Sequence, residues 1–151
     1  MKEALIELYQ RDLQKLKKEI LLYQDESNMW IVEGSITNSA GNLCLHLIGN
    51  LKAFIGATLA QSGYIRQRER EFSDKNVSRA DMLVAIDETI EVVTEGLSQL
   101  STAQMLQLSF PIKIWKKETS MSYTLIHLHS HLNYHLGQIN YHRRLLDTQH
   151  L

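Results

Sequence analysis

Five histidines crowd the stretch from Ser120 to Asp147: His127, His129, His131, His135 and His142. Two of them open the string His131-Leu-Asn-Tyr-His135-Leu-Gly-Gln. On a helix, residues four apart lie one turn above each other on one face. Their imidazoles can then share one metal ion, as in the helical His-x-x-x-His of zinc enzymes. A pair cannot hold a catalytic metal alone, so a third ligand must come from elsewhere in the chain. The one histidine outside the last quarter of the sequence is His46. Spacing leaves the register open, because His127 and His131 are also four apart. His129 lies roughly 200° around a helix from His131 and is expected to face solvent. The competing reading is a histidine-rich amphipathic helix without metal, with His46 as a hydrogen-bonded core residue. Against it, several imidazoles beside core leucines need partners, and one ion satisfies several at once.

Composition narrows the setting. A chain of 151 residues, 44% hydrophobic and 22% charged, is long enough for one domain with a real core, and one domain spanning 1–151 is expected. A net charge of −1 gives no basic field for nucleic acid or an anionic membrane surface. The single cysteine, Cys44, excludes a disulfide framework within the chain and suits a reducing compartment. Cys44 and His46 diverge by about 200° on a helix, so Cys44 reads as a small core residue rather than a co-ligand. The start, Met-Lys-Glu-Ala-Leu, lacks the apolar core of a secretion signal, and no run approaches the ~18 apolar residues of a membrane span. A cytoplasmic protein with no membrane contact is expected.

One proline and seven glycines argue for long helices. Leu5, Leu8, Tyr9, Leu13, Leu16, Ile20 and Leu21 give a first helix over about Lys2 to Tyr23, read as scaffold without evident chemistry. A connection over 24–37 follows, in which Trp30 either anchors the loop by packing or walls a ligand site. Thr37 or Ser39 caps a second helix, about Ser39 to Gln61, with Leu43, Leu47, Ile48, Leu51, Phe54, Ile55 and Leu59 on its apolar face. His46 shares an edge of that face with Asn50, Ala53 and Ala57. Residues 62–77 form a charged connection in which Arg66, Arg68 and Arg70 alternate with glutamates. It reads as a solvated, ion-paired loop, with a clamp for an anionic substrate as the alternative.

Ser78 caps a third helix, about Ser78 to Leu100, with a core stripe from Met82 to Leu100 and Asp87, Glu88, Glu91 and Glu95 on its solvent face. Residues 101–119 hold the only proline, Pro111. Ile112 and Ile114 alternate as in a strand, but no partner is evident, and the segment reads as ordered loop. Trp115 carries the same two readings as Trp30. Thr119 or Ser120 caps a fourth helix, about Ser120 to Thr148, where His131, His135, Gln138 and His142 make a polar line beside the leucines. Gly137 within it suits a place where a backbone or ligand must come close. Four amphipathic helices and no credible strand predict an all-α four-helix bundle. The connections exceed the 2–8 residues of up-and-down neighbours, so at least one crossover, with the third helix parallel to the second, is expected.

Leu-Cys-Leu-His46-Leu-Ile-Gly-Asn-Leu, followed far downstream by His131-x-x-x-His135-x-Gly137-Gln138, resembles the DinB/YfiT-like family of metal-binding four-helix bundles. The resemblance spans essentially the whole chain, including the Arg-Glu-Phe stretch before the third helix. It implies metal ligation by His46, His131 and His135, and thereby favours this register over His127. The family often has arginine after the second helical ligand; Leu136 stands there, so that arginine's role has no counterpart here. The resemblance also implies a homodimer and, by analogy with some members, a transferase using a low-molecular-weight thiol such as bacillithiol or mycothiol.

Three neutral imidazoles leave open positions on a divalent ion, zinc and nickel both suiting imidazole. The leading expectation is therefore a metal-dependent thiol transferase acting on a small electrophile, with Gln138 and Asn50 orienting the ligands. Two alternatives stand beside it: a metal-dependent hydrolase, and a non-catalytic, stress-related binding or structural dimer.

Overall fold

A computed structural model of the chain describes residues 1–107, 109–113 and 116–147. Ile114, Trp115 and Thr148 lie outside the described residues, and with them the reading of Trp115 and half of the proposed strand alternation. The described residues are helical and irregular, with no strand. Among them six α-helices follow in order: α1 Lys2–Leu22, α2 Ala40–Leu51, α3 Arg68–Ser73, α4 Arg79–Ser98, α5 Thr102–Gln107 and α6 Met121–Leu146. A 3₁₀ turn, Glu26–Trp30, precedes α2, and a π-helical stretch, Lys52–Ala57, continues it.

Local chemistry sets the starts of the long helices. Ser39, Ser78 and Ser120 each accept a hydrogen bond from the backbone N–H three residues on, satisfying a donor the helix cannot. Ser39 and Ser120, rather than Thr37 and Thr119, are the caps. α2 does not continue as regular helix to Gln61; Gln61 has φ +52°, in the left-handed region that ends helices.

Side-chain pairs fix the directions. Gln10 bonds Thr94 and Lys17 bonds Asp87, so α1 and α4 are antiparallel. Tyr9 reaches Leu125, Asp12 reaches His129 and Glu19 reaches Arg143, so α1 and α6 run the same way. Lys52 pairs with Glu88, and Gly56 faces Val92, so α2 and α4 are also parallel. The chain between α2 and α4 therefore crosses the length of the molecule. It is largely exposed and ion-paired, as expected, but it also forms α3, which packs against α2 and buries Glu71.

The core lies between the four long helices. Tyr9, Leu13, Leu16, Ile20, Leu47, Leu51, Met82, Ile86, Val93, Leu97, Leu125 and Leu132 are buried. Leu21 is half exposed and belongs to the outer face of α1. Trp30 packs on the core, its ring against Gly41, where an added Cβ would sit 2.7 Å from ring carbons. Cys44 is fully buried, which pushes its thiol up to about 12. A Cβ added at Gly137 would meet nothing within 4 Å, so no backbone approaches it closely.

α1 carries more than scaffold. Asp12 is fully buried and bonds Arg11, Lys15, Asn133 Nδ2 and His129 Nε2. His129 is accordingly half-buried and turned onto Asp12, not into solvent, because an unpaired buried carboxylate would be far costlier than ordering one imidazole. His142 is equally committed. Its Nε2–H donates to Ile31 O at 2.9 Å, and its Nδ1 accepts from Tyr23 Oη at 2.7 Å.

Burial lowers the pKa of His142 below its ordinary 6.5. A base depressed in the folded state binds its proton in the unfolded chain first, so stability is present above about pH 6.5 and declines as pH falls below it. Burial alone would raise Asp12, but Arg11 and its other partners outweigh that and hold it low, so it works in a separate window below about pH 4. Chelator-treated protein should thus lose thermal stability between pH 7.5 and 5.5, and a flat Tm across that range contradicts the account. His142→Ala, which strips the buried Tyr23 hydroxyl and the half-buried Ile31 carbonyl of their partner, should cost roughly 2–4 kcal/mol in urea unfolding.

Candidate metal centre

α2 and α6 meet antiparallel, and their contact brings His46 to His131 and His135. The Nε2 atom of His131 lies 3.2 Å from that of His46 and 3.1 Å from that of His135. The three rings present ligand atoms within 4.8 Å of one another, and no other such group of His, Cys, Asp and Glu occurs among the described residues. Nitrogens about 2.0–2.1 Å from a tetrahedral ion stand roughly 3.3 Å apart, close to the two separations from His131.

The far nitrogens show why the near ones converge. His46 Nδ1 donates to Glu71 Oε2 at 2.8 Å, which leaves its Nε2 with a lone pair aimed inward. His135 Nδ1 lies 2.6 Å from Gln138 Oε1, and donation there leaves a second inward lone pair. His131 Nδ1 is buried without a hydrogen-bond partner among the described residues. Burial first, and then the neighbouring His135, His46 and His127, lower the pKa of His131 to about 4. His135 is lowered as well, again chiefly by burial. These two rings are neutral at pH 7, the form that ligates metal. The residues present fit a divalent transition ion: three imidazoles, two with oriented outer hydrogen bonds.

Glu71 is the functional residue that sequence reasoning missed. It is 6% exposed although it lies in the charged connection. Arg66 grips it bidentately, Nε to Oε1 at 2.7 Å and Nη2 to Oε2 at 2.8 Å. Burial raises a carboxyl, but Arg66 and His46 outweigh that and hold Glu71 below the usual range. Gly49 makes the approach feasible: a Cβ there would stand 2.1 Å from Glu71 Oε1. Phe72, next along α3, lays its ring 4.9 Å from that of His46. The available signal is Gly49, three residues after His46, opposite a run of arginines and glutamates that needs a buried counterpart.

Of the other expected residues, Gln138 orients His135, whereas Asn50 touches none of the three rings through a hydrogen bond and keeps its Oδ1 buried without a partner among the described residues. His127 lies outside the converging group; its ring stacks on Tyr123 and stands 6.5 Å from that of His131. Two clefts open beside the triad. One, of about 530 Å³, is bordered by His135, Gln138, Tyr134, Tyr141, Ile36 and Leu43. The other, of about 310 Å³, reaches His46 and His131 and is bordered by Arg66, Arg68 and Lys113.

An all-helical protein with three imidazoles converging between two of its helices is the class that fold and site define. The chain belongs to the family described as Protein of unknown function (DUF1572), whose sequence model matches residues 3–151. No curated protein and no solved structure matches it. No helix among the described residues is long and apolar enough to cross a membrane.

Glu71→Gln should weaken metal affinity about 10–100-fold, the usual range for loss of an outer-shell partner. Gly49→Ala, which drives a methyl into the carboxylate, should act in the same direction while the helical circular dichroism is kept. Competition against a chromophoric chelator measures both, and wild-type affinity in the two variants contradicts the role given to Glu71.

Proposed function

We propose that the chain is a metal-dependent enzyme, a transferase that uses a low-molecular-weight thiol on a divalent ion held by His46, His131 and His135. The observation that carries this reading is the convergence of three Nε2 atoms, two of them with their other ring nitrogen already hydrogen-bonded outward. Zinc and nickel both suit such a donor set. The reading includes a DinB/YfiT-like four-helix bundle spanning residues 1–151, a homodimer and a cytoplasmic setting.

A divalent ion there supplies Lewis acidity, which favours the thiolate form of a coordinated thiol, the form that is nucleophilic. The protein's own groups then orient and select. Glu71 and Gln138 fix the ring planes of His46 and His135. The aromatic cleft beside His135 is suited to an apolar electrophile. The thiol's sulfur forms a bond to the electrophilic carbon, the leaving group departs with its electron pair, and the thiol proton passes to solvent. Cys44 is excluded as nucleophile, because it is buried and its thiol is pushed up to about 12.

The same donor set would serve water activation for hydrolysis, and a non-catalytic dimer would need no turnover at all. Clefts on two sides of the triad favour a two-substrate reaction over either. Protein purified without a histidine tag should carry about one transition-metal ion per chain, and His46→Ala and His131→Ala should each lose it. Equal metal content in all three overturns the site. Product analysis with and without added thiol separates transfer from hydrolysis, turnover without thiol favouring hydrolysis.

A further inference from the structure

The two clefts differ in charge. Among the described residues, the one beside His135 has no lysine, arginine, aspartate or glutamate in its wall. The one beside His46 and His131 has Arg66, Arg68 and Lys113 and no carboxylate. Arg66 is neutralised by Glu71, but Arg68 and Lys113 are not held by any buried acid among the described residues. Among the described residues Lys113 pairs with Glu118, and both of those side chains are well exposed, so that pair is weak. The guanidinium of Arg68 stands 5.3 Å over the Phe72 ring, whose own ring lies against His46. Phe72 thus sets a cation at the rim of the triad. Three neutral imidazoles would also leave a divalent ion's charge uncompensated by any protein ligand. Elsewhere this chain surrounds the buried carboxylate of Asp12 with donors; here Glu71 is taken up by Arg66 and His46 behind the cleft, and no carboxylate in the cleft wall faces Arg68 and Lys113.

We propose that this cleft binds a small acid, one co-substrate carrying a carboxylate or phosphate group. That group reaches Arg68 and Lys113 while another atom of the same molecule faces the three imidazoles. The uncharged aromatic cleft then takes the second, apolar co-substrate. The Arg-Glu run of residues 66–71 serves two ends at once: Arg66 and Glu71 brace His46, and Arg68 receives the ligand. The volume of about 310 Å³ suits a small molecule and not a polymer. This inference rests on the metal reading for its geometry, but the cationic wall can be tested separately.

The experiment is calorimetric titration of the full chain, metal-loaded and chelator-stripped, with succinate, with methyl phosphate and with neutral succinamide. Succinate or methyl phosphate should bind the loaded protein, and whichever is tighter identifies the acid group; succinamide should not bind. Arg68→Gln and Lys113→Gln should each weaken the acid by about fivefold, with metal content unchanged. Arg66→Gln should lower both acid binding and metal affinity, since it also releases Glu71. Acid affinity equal to wild type in Arg68→Gln and Lys113→Gln, or no binding of either acid to loaded protein, overturns the proposal. If the chain takes up no metal yet still binds the acid through Arg68 and Lys113, the cleft stands and the metal reading fails. If metal binds and the acid does not, the reverse holds.

Discussion

Three imidazole nitrogens, with that of His131 only 3.1–3.2 Å from each of the other two, cannot all carry protons. His46 and His135 spend their N–H on Glu71 and Gln138, so both offer lone pairs to the same small space. Only His131 can bring a proton into it, and that proton can satisfy one neighbour but not both. A second proton is opposed by burial and by the adjacent rings, which push the pKa of His131 down to about 4. Three inward lone pairs so close together could hold a metal ion in common. The rest of the arrangement follows from keeping those pairs aimed: a serine cap at the starts of α2, α4 and α6, leucines on the flanks, and an acid buried behind His46.

That buried acid explains the shape of the chain. α2 and α4 are parallel, so the polypeptide must travel the molecule's length between them. On the way it places α3 across α2 and delivers Glu71 to His46 and Phe72 to the same ring. Gly49 supplies the gap on α2 that the carboxylate enters. A short up-and-down hairpin would have no residues with which to do this. The crossover is therefore part of the site as well as a way of joining helices. Other parts of α6 are organised by a different set of contacts, in which His129 and Asn133 complete Asp12 of α1 and His142 closes on Tyr23 and Ile31. Of the five histidines in that stretch, these two serve α1 and the connection after it, and their chemistry is structural.

Much of this is readable from residue types and spacing. Long helical periodicity and the near absence of proline locate the long helices, and serines stand where caps are needed. The second helix is the exception, because its regular part ends early in a π-helical stretch that periodicity does not reveal. His46, His131 and His135 follow from the family resemblance, and the structure brings their Nε2 atoms together; spacing alone leaves His127 as an equal choice. What is not readable depends on contacts between residues far apart in sequence. Nothing local distinguishes Asp12 from the solvated acids of α1, because its burial comes from α6. Nothing local marks Glu71 among alternating arginines and glutamates, because its partner is His46, 25 positions earlier. The angle of His129 from His131 points it to solvent, a sound inference that fails because α1 covers that side too. Gly137 lacks the close neighbour expected of it, since a glycine's tolerance of approach does not create an approach.

The most direct test of the converging imidazoles is anomalous diffraction from crystals of tag-free protein, recorded above and below the absorption edge of the bound element. The account predicts one anomalous peak bonded to Nε2 of His46, His131 and His135, with at least one further position filled by a non-protein ligand. A peak elsewhere, no peak between three well-ordered rings, or a fourth protein side chain closing the shell would contradict it.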